Sequence, residues 1–154
     1  MRIYLDNAST TPVHPDVLDV MLQVLKDDFG NPSSIHQHGR KSRSIIEQAR
    51  KIVAKTINAS IGEVFFTSSA TEANNMVLKN AIKDLGIQRI ISSPTEHHCV
   101  LHSLDSISSE GKCEVVILKV DQYGHIDYDQ LNVLLTDKKI KTLVSIMHGN
   151  NEIG

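Results

Sequence analysis

The sequence predicts an α/β fold in which a mostly parallel sheet is flanked by helices. Short apolar segments rich in β-branched residues alternate along the chain with longer segments of helical periodicity. The short segments are wholly apolar at their centres, as in strands that helices cover on both faces. Because ligands of such sheets bind beyond the carboxyl ends of the strands, the residues that follow each strand are the first candidates for a site.

The predicted elements alternate along the whole chain. Helices are predicted over 15–28, 40–57, 71–85, 95–108 and 127–135, and strands over 64–66, 89–91, 114–120 and 142–147. Pro15 is tolerated in the first turn of the first helix, and Gly30-Asn31-Pro32 stops that helix. The last strand is followed only by a loop, although a buried parallel strand needs cover on both faces. We therefore expect the chain to be the front part of a longer protein.

The composition excludes several classes of protein. The 154 residues carry 16 Lys and Arg against 18 Asp and Glu, a formal net charge of −2, so no electrostatic feature predicts nucleic acid or an acidic membrane as a partner. The longest apolar runs fall far short of the roughly 20 residues that span a bilayer, and Asp6 interrupts any signal-peptide core. The two cysteines, Cys99 and Cys113, are too few for a disulfide scaffold. We expect a soluble, cytoplasmic, globular chain of a length typical of one domain.

Small and hydroxyl residues follow the first predicted strand and open the next helix. Over Thr67–Glu72 they let backbone N–H groups approach a ligand, and the amino terminus of a helix favours an anion such as phosphate. The alternative is a capping box, with Ser69 as the N-cap and Glu72 three residues later. Both interpretations remain open from this segment alone.

A second helix start follows strand 89–91. Ser93 as the N-cap and Pro94 at the first helical position, with Glu96 three residues after Ser93, predict where the helix begins. His97 would lie in its first turn, near the ligand side of the sheet. A helix amino terminus disfavours imidazolium, so we expect His97 to be neutral and able to lie against a ring or to act as an acid or base. The alternative is a surface histidine in a helix cap.

Other residues of this helix have the spacing of a metal site but lack the partners. His98 and His102 share one helical face, yet no carboxylate or cysteine pair with ligand spacing accompanies them. We therefore predict no metal site. Cys99 and Cys113 lack any nearby signature of an activated nucleophile and are expected to be ordinary, partly buried thiols.

Two asparagines, Asn150 and Asn151, follow the last predicted strand. A side-chain amide at this edge of the sheet can donate to a carboxylate or to a phenolic oxygen. The alternative is an asparagine-rich turn, and the segment alone favours that alternative.

Several of these segments occur in an order and at a spacing found in one enzyme family. They are Tyr4–Pro12, Phe29–Ser34 with His36 and Gly39-Arg40, Phe66–Asn75, Thr95–His97, and Ser145–His148 with Asn150–Gly154. In this the chain resembles the NifS/IscS-type cysteine desulfurases, pyridoxal-phosphate (PLP) enzymes of the class V aminotransferase family. The resemblance implies the PLP-dependent transferase fold of type I, which is aspartate-aminotransferase-like. Residues 1–14 would be an arm belonging to the small domain, and residues 15–154 the N-terminal part of the large PLP-binding domain.

The resemblance also implies a role for each matching residue. Ala70, through its backbone N–H, and Thr71 would bind the phosphate of PLP. His97 would stack on the pyridine ring and take part in proton transfers. Asn151 would reach the phenolic oxygen of the cofactor and the carboxylate of the substrate. Ser69 stands where family members often have glycine.

The reaction implied is the removal of sulfur from L-cysteine, which gives L-alanine and an enzyme persulfide. The sulfur would pass to a scaffold protein for iron–sulfur clusters or to tRNA thiolation. The family's Schiff-base lysine, pyridinium-binding aspartate and persulfide cysteine have no counterpart here, since neither Cys99 nor Cys113 matches that cysteine. The resemblance therefore implies a complementary C-terminal polypeptide and a homodimer of the complete enzyme.

Two other functions remain open. The chain could belong to another class V enzyme, such as a selenocysteine lyase or an aminotransferase. It could also be a non-catalytic remnant that binds a desulfurase partner or a scaffold protein.

Overall fold

A computed structural model describes residues 3–153, which divide into two compact units between Phe66 and Thr67. Met1, Arg2 and Gly154 lie outside the described residues. The first predicted domain begins at Met1, and both the second predicted domain and the last family segment end at Gly154, so these ends also lie outside. The domain boundary predicted between residues 14 and 15 stays a prediction.

The first unit is helical. It contains α1 (Pro15–Asp27), α2 (Gln37–Thr56) and a 3₁₀ helix (Ile61–Glu63). The prediction of α1 is confirmed to within one residue, with Pro15 in its first turn. The helix α2 begins three residues earlier than predicted, because the His36 imidazole caps it by accepting the Gly39 N–H at 3.3 Å.

A close approach of backbone to backbone holds the start of α2. A Cβ atom on Gly39 would lie 2.4 Å from the carbonyl oxygen of Ser34 and 2.6 Å from that of Asn31. Only glycine leaves room for this contact, which packs the polar turn before α2 against the first turn of the helix.

The strand predicted over Val64–Phe66 is wrong. The backbone of Val64 is extended (φ −103°, ψ 120°), but among residues 3–153 no strand pairs with this segment. Phe65 and Phe66 are exposed, and the Arg50 guanidinium lies 5.1 Å from the centre of the Phe66 ring. An apolar, β-prone sequence has the local preference of a strand, but without a neighbouring strand it has no ladder to join.

The second unit contains a three-stranded parallel sheet of order β2-β1-β3. Its strands are β1 (Arg89–Ser92), β2 (Glu114–Ile117) and β3 (Thr142–Val144), and its helices are α3 (Ala70–Leu85), α4 (His98–Ser109) and α5 (Tyr128–Leu134). In register, Ile90 of the central strand lies beside Val115 on one side and Leu143 on the other. The predicted parallel sheet with flanking helices is confirmed.

The core of this unit forms where α3 and α4 pack on the sheet. Its buried members include Leu78, Ile90, Val100, Leu104 and Ile107. Burial of such side chains stabilises a fold by about 1.5–3 kcal/mol each. The central strand β1 is the most deeply buried of the three, since Ile90 and Ile91 are fully buried. The end of β1 is therefore a firm base for the residues that follow it.

Two strands end before the predicted residue. β2 stops at Ile117, and Val120 instead forms an antiparallel bridge with Ile126 across a turn that contains Gly124 at φ +85°. β3 stops at Val144, although the next N–H, that of Ser145, still donates to Ile91 at 2.9 Å. Within residues 3–153 no helix is both long and apolar enough to cross a membrane.

Candidate functional site

The amino terminus of α3 is capped by the residues predicted to cap it. The Ser69 hydroxyl accepts the Glu72 N–H at 3.2 Å, which confirms Ser69 as the N-cap. The Glu72 carboxylate turns back one residue further than in a standard capping box and accepts the N–H and hydroxyl of Ser68, each at 2.7 Å. These two hydrogen bonds hold the pKa of the Glu72 carboxyl below its usual value, and the one from the Ser68 hydroxyl has the larger effect on that pKa.

The first turn of α3 leaves donors open for an anion. The first N–H groups of a helix have no intrahelical acceptor, and Ala70 and Thr71 occupy this position on an exposed surface of a 16-residue helix. Thr71 lines a shallow cleft of about 520 Å³ that also contains Lys79. The end of the helix and the Lys79 ammonium favour negative charge here, and the Glu72 carboxylate, which also lines the cleft, opposes it.

His97 caps α4, one residue before the helix begins. Its Nδ1 accepts the Cys99 N–H at 3.1 Å, so in this arrangement the ring carries its proton at Nε2. The predicted start at Ser93 and Pro94 is wrong: Ser93 is buried, and its hydroxyl accepts the Thr95 N–H at 3.2 Å within a turn. The helix begins only after this turn, at His98.

The loop after β3 brings Asn151 to the same place as His97. Both residues are exposed and line one cleft of about 370 Å³ beyond the carboxyl ends of β1 and β3. Neither Ala70 nor Thr71 lines this cleft. The structure thus brings two of the four predicted site residues together directly.

Asn74 connects the two parts of the site. It lies one turn along α3 from Ala70, and its side-chain amide donates to the Cys99 sulfur at 3.3 Å. Asn74 and His97 also line an adjoining cleft of about 270 Å³. The open first turn of α3 and the imidazole at the start of α4 therefore share one region of this unit.

Asn150 and Glu96 also organise the site, a role that the sequence does not predict for either residue. Asn150 joins the loops after β1 and β3 through a hydrogen bond to the Thr95 carbonyl at 2.9 Å. Glu96 has one carboxyl oxygen, Oε1, that is buried without a hydrogen-bond partner among residues 3–153. Burial raises the pKa of the Glu96 carboxyl, and backbone N–H groups of Met147 and His97 oppose that rise. The sequence predicts Glu96 as part of a helix cap, and no local pattern indicates its contact with Met147, which is far away along the chain.

The remaining histidines and cysteines have no arrangement that suggests chemistry. The rings of His98 and His102 lie 5.8 Å apart, and the described part of the chain has no group of three or more His, Cys, Asp or Glu side chains that could hold a metal ion. Burial raises the pKa of the Cys113 thiol, which disfavours the reactive thiolate.

The comparisons with known proteins agree with one another. A sequence profile described as Aminotransferase class-V matches residues 3–154. The chain is 46% identical over 155 aligned positions to a protein named cysteine desulfurase IscS from Dictyoglomus turgidum, and the match covers 99% of this chain and 39% of that protein. A solved structure described as a NifS-like protein aligns with a TM-score of 0.92 at 38% identity, over 100% of this chain and 42% of that one. A structure described as SspA in complex with cysteine aligns with a TM-score of 0.83 at 36% identity, over 94% of this chain and 42% of that one.

These matches confirm the fold class that the resemblance implied. They also show that the chain spans about two fifths of the length of the relatives it matches. Because the profile covers nearly all of its residues, the chain belongs to the class V aminotransferase family.

Proposed function

We propose that this chain is the N-terminal, cofactor-binding part of a PLP-dependent cysteine desulfurase. The observation that carries the proposal is the cleft in which His97 and Asn151 lie together beyond the ends of β1 and β3. The likeness to a cysteine desulfurase over 99% of the chain supports it. In this proposal residues 15–154 belong to the large domain and residues 1–14 to an arm of the small domain.

The groups of the candidate site, in this cleft and at the start of α3, suit the chemical groups of PLP. The open first turn of α3 suits a phosphate. The exposed imidazole of His97 offers a flat surface to an aromatic ring. The side-chain amide of Asn151 can donate to a phenolic oxygen or a carboxylate. When bound, PLP supplies the electron sink that makes bonds at the α-carbon of an amino acid labile.

The residues of the chain bind and orient the reactants and hold a proton. Ala70, through its N–H, and Thr71 bind the phosphate and so fix one end of the cofactor. His97 lies against the ring, and because its Nδ1 accepts the Cys99 N–H, the proton that it holds or moves is at Nε2. Asn151 donates to the phenolic oxygen of the cofactor and to the carboxylate of the substrate.

The proposed substrate is L-cysteine, which is converted to L-alanine while its sulfur is taken up by a cysteine thiol as a persulfide. A solved relative carries cysteine in its described complex, which supports this choice. The Schiff-base lysine, the aspartate and the persulfide cysteine come, in this proposal, from sequence beyond these residues or from a complementary polypeptide. We further propose a cytoplasmic homodimer that passes sulfur to an iron–sulfur scaffold or another acceptor protein.

The experiment that tests the proposal compares Thr71→Ala with the wild type in the native protein, together with every polypeptide that accompanies the chain. Loss of one hydrogen bond to a charged phosphate should raise the Kd of PLP about tenfold. Titration of the cofactor's visible absorption measures that constant.

Thr56→Ala is the matched control, since Thr56 is an exposed helical threonine whose hydroxyl bonds only to the Ile52 carbonyl of its own helix. It should leave the Kd of PLP unchanged. Equal PLP affinity in Thr71→Ala and the wild type would contradict the site. Release of L-alanine from L-cysteine, measured in the same samples, separates a desulfurase from a selenocysteine lyase.

A further inference from the structure

The side chain of Asn150 joins the two loops that carry His97 and Asn151. Its Nδ2 donates to the carbonyl oxygen of Thr95 at 2.9 Å, across 55 positions of sequence. Thr95 lies two residues before His97, and Asn150 lies directly before Asn151. A single hydrogen bond thus links two short segments that each end in a predicted site residue.

The same amide also holds its own loop. Its Oδ1 accepts the N–H of Glu152 at 2.7 Å and that of Ile153 at 3.1 Å. Exchange of the amide oxygen and nitrogen would put a donor against two donors and an acceptor against a carbonyl, so the network allows one orientation only. The Asn150 side chain is therefore fixed at both of its ends.

The ends of β1 and β3 are joined directly, before these loops begin. The Ser92 hydroxyl donates to the Ser145 carbonyl at 2.8 Å, and the Ser145 N–H donates to the Ile91 carbonyl at 2.9 Å. Ser92 is fully buried. Asn150 acts above this base, where the chain has left the sheet and where the Glu96 carboxyl also meets the Met147 N–H of the other loop.

Glu96 lies at the same place, where the turn after β1 meets the loop after β3. It lines both clefts together with Met147, a residue of the loop after β3. Its Oε1 is buried and has no hydrogen-bond partner within residues 3–153. A buried polar atom without a partner is costly, and this one lies where these two segments meet.

We infer that Asn150 is a positioning residue, which sets the separation of His97 and Asn151 by tying the loop after β3 to the turn after β1. The inference rests on the proposed function, since it assigns Asn150 to the geometry of the PLP cleft. Asn150 does not have to contact the cofactor in this role. It acts through its neighbours, whose placement to within about 1 Å decides how well a ligand is bound.

The test uses the native protein with all accompanying polypeptides and measures the Kd of PLP by absorbance titration. Asn150→Ala removes the link between the loops and should raise that constant about tenfold. Asn150→Ser keeps an oxygen that can accept the Glu152 N–H, but its hydroxyl is too short to reach the Thr95 carbonyl. It should raise the constant to a similar extent while preserving the local turn. Asn132→Ala, at an exposed asparagine of α5, is the matched control and should change nothing.

A second measurement separates positioning from general destabilisation. If Asn150 acts through its neighbours, the effect of Asn150→Ser on PLP affinity should shrink in an Asn151→Ala background, since the neighbour that it positions is gone. A merely structural role would give the same effect in both backgrounds. An undiminished effect in Asn151→Ala would therefore overturn the inference, as would wild-type PLP affinity in Asn150→Ser.

Thr71→Ala shows which of the two claims has failed. Reduced affinity in Thr71→Ala with normal affinity in Asn150→Ser would leave the proposed function standing and reject the positioning role. Normal affinity in both variants would reject the PLP site itself.

Discussion

His97 has two roles, as a helix cap and as a ring in the cleft, and its replacement by alanine would remove both. Its Nδ1 caps α4 by accepting the Cys99 N–H at 3.1 Å, and its exposed ring faces the cleft shared with Asn151. Loss of PLP in a His97→Ala variant could therefore follow either from the missing ring or from a frayed helix. A second substitution that keeps the cap and removes the ring tells the two roles apart.

Asparagine separates them, because it is among the best N-cap residues and has no aromatic ring. His97→Ala should lower the free energy of unfolding by about 1 kcal/mol through loss of the cap, whereas His97→Asn should leave it within about 0.5 kcal/mol of the wild type. Both variants should bind PLP more weakly. Denaturant unfolding and PLP titration of each variant measure the two effects.

His102→Ala provides the control on the same helix, since His102 is exposed and lies a full turn beyond the cap. It should leave both quantities unchanged. Wild-type PLP affinity in His97→Asn would show that the ring has no part in the site.

Residue types that usually cap helices are only a partial guide to the caps of this chain. Ser69 is confirmed as the N-cap of α3, whereas Ser93, predicted to cap the next helix, lies in a turn before it. Asp127, predicted as the first residue of a helix, is the N-cap of α5. Histidine caps, made by His14 in α1, His36 in α2 and His97 in α4, are not predictable in this way, because histidine is not a preferred N-cap. The predicted starts of α2 and α4 are three residues away from the observed ones, whereas that of α1 is correct because Pro15 marks it.

Asn150 is the clearest residue whose role the sequence could not indicate. It stands beside Asn151 in a segment that also suits an ordinary turn. Its distinguishing contact is with Thr95, far away along the chain. The composition of the segment predicts amide donors at this edge of the sheet, but it does not reveal which amide joins the loops and which one remains exposed.

Among the elements, α2 depends on the close contact at Gly39. Gly39→Ala would place a Cβ atom 2.4 Å from the Ser34 carbonyl oxygen, and the nearest atoms are backbone, which cannot move aside cheaply. In an open helix the same change would stabilise by about 1 kcal/mol. Here we expect it to destabilise the first unit by about 1–3 kcal/mol, the usual cost of overpacking. Denaturant unfolding followed by helical circular dichroism measures the change.

Gly62→Ala is the matched control, because a Cβ atom on Gly62 would meet nothing within 4 Å. It should leave stability unchanged or slightly raised. A Gly39→Ala variant as stable as the wild type would show that the turn before α2 is not packed as closely as the structure describes.

The strands show how far local pattern predicts an element. β1 is predicted within one residue, because it is apolar and has a partner on each side. The segment Val64–Phe66 has an equally strand-like sequence, and Val64 is extended, yet the segment forms no strand among the described residues. The difference is tertiary: a strand exists only with its ladder, and neighbours distant in sequence decide whether a ladder forms.

At the scale of the whole molecule, the parallel sheet explains why residues from distant parts of the chain meet. The carboxyl ends of β1 and β3 lie at one edge, and His97 and Asn151 follow them into one cleft. The family assignment rests on the match over residues 3–154. The chain nevertheless spans about two fifths of its relatives, so the complete activity is a property of a larger assembly in our proposal.

The most direct measurement is borohydride reduction of the native protein, which fixes PLP to the lysine that carries it, followed by mass spectrometry of every polypeptide present. We expect a reduced cofactor on a lysine outside these 154 residues, and less of it when Thr71 is replaced by alanine. A reduced cofactor on a lysine of this chain, or L-alanine release from L-cysteine by a sample in which no lysine is modified, would contradict it.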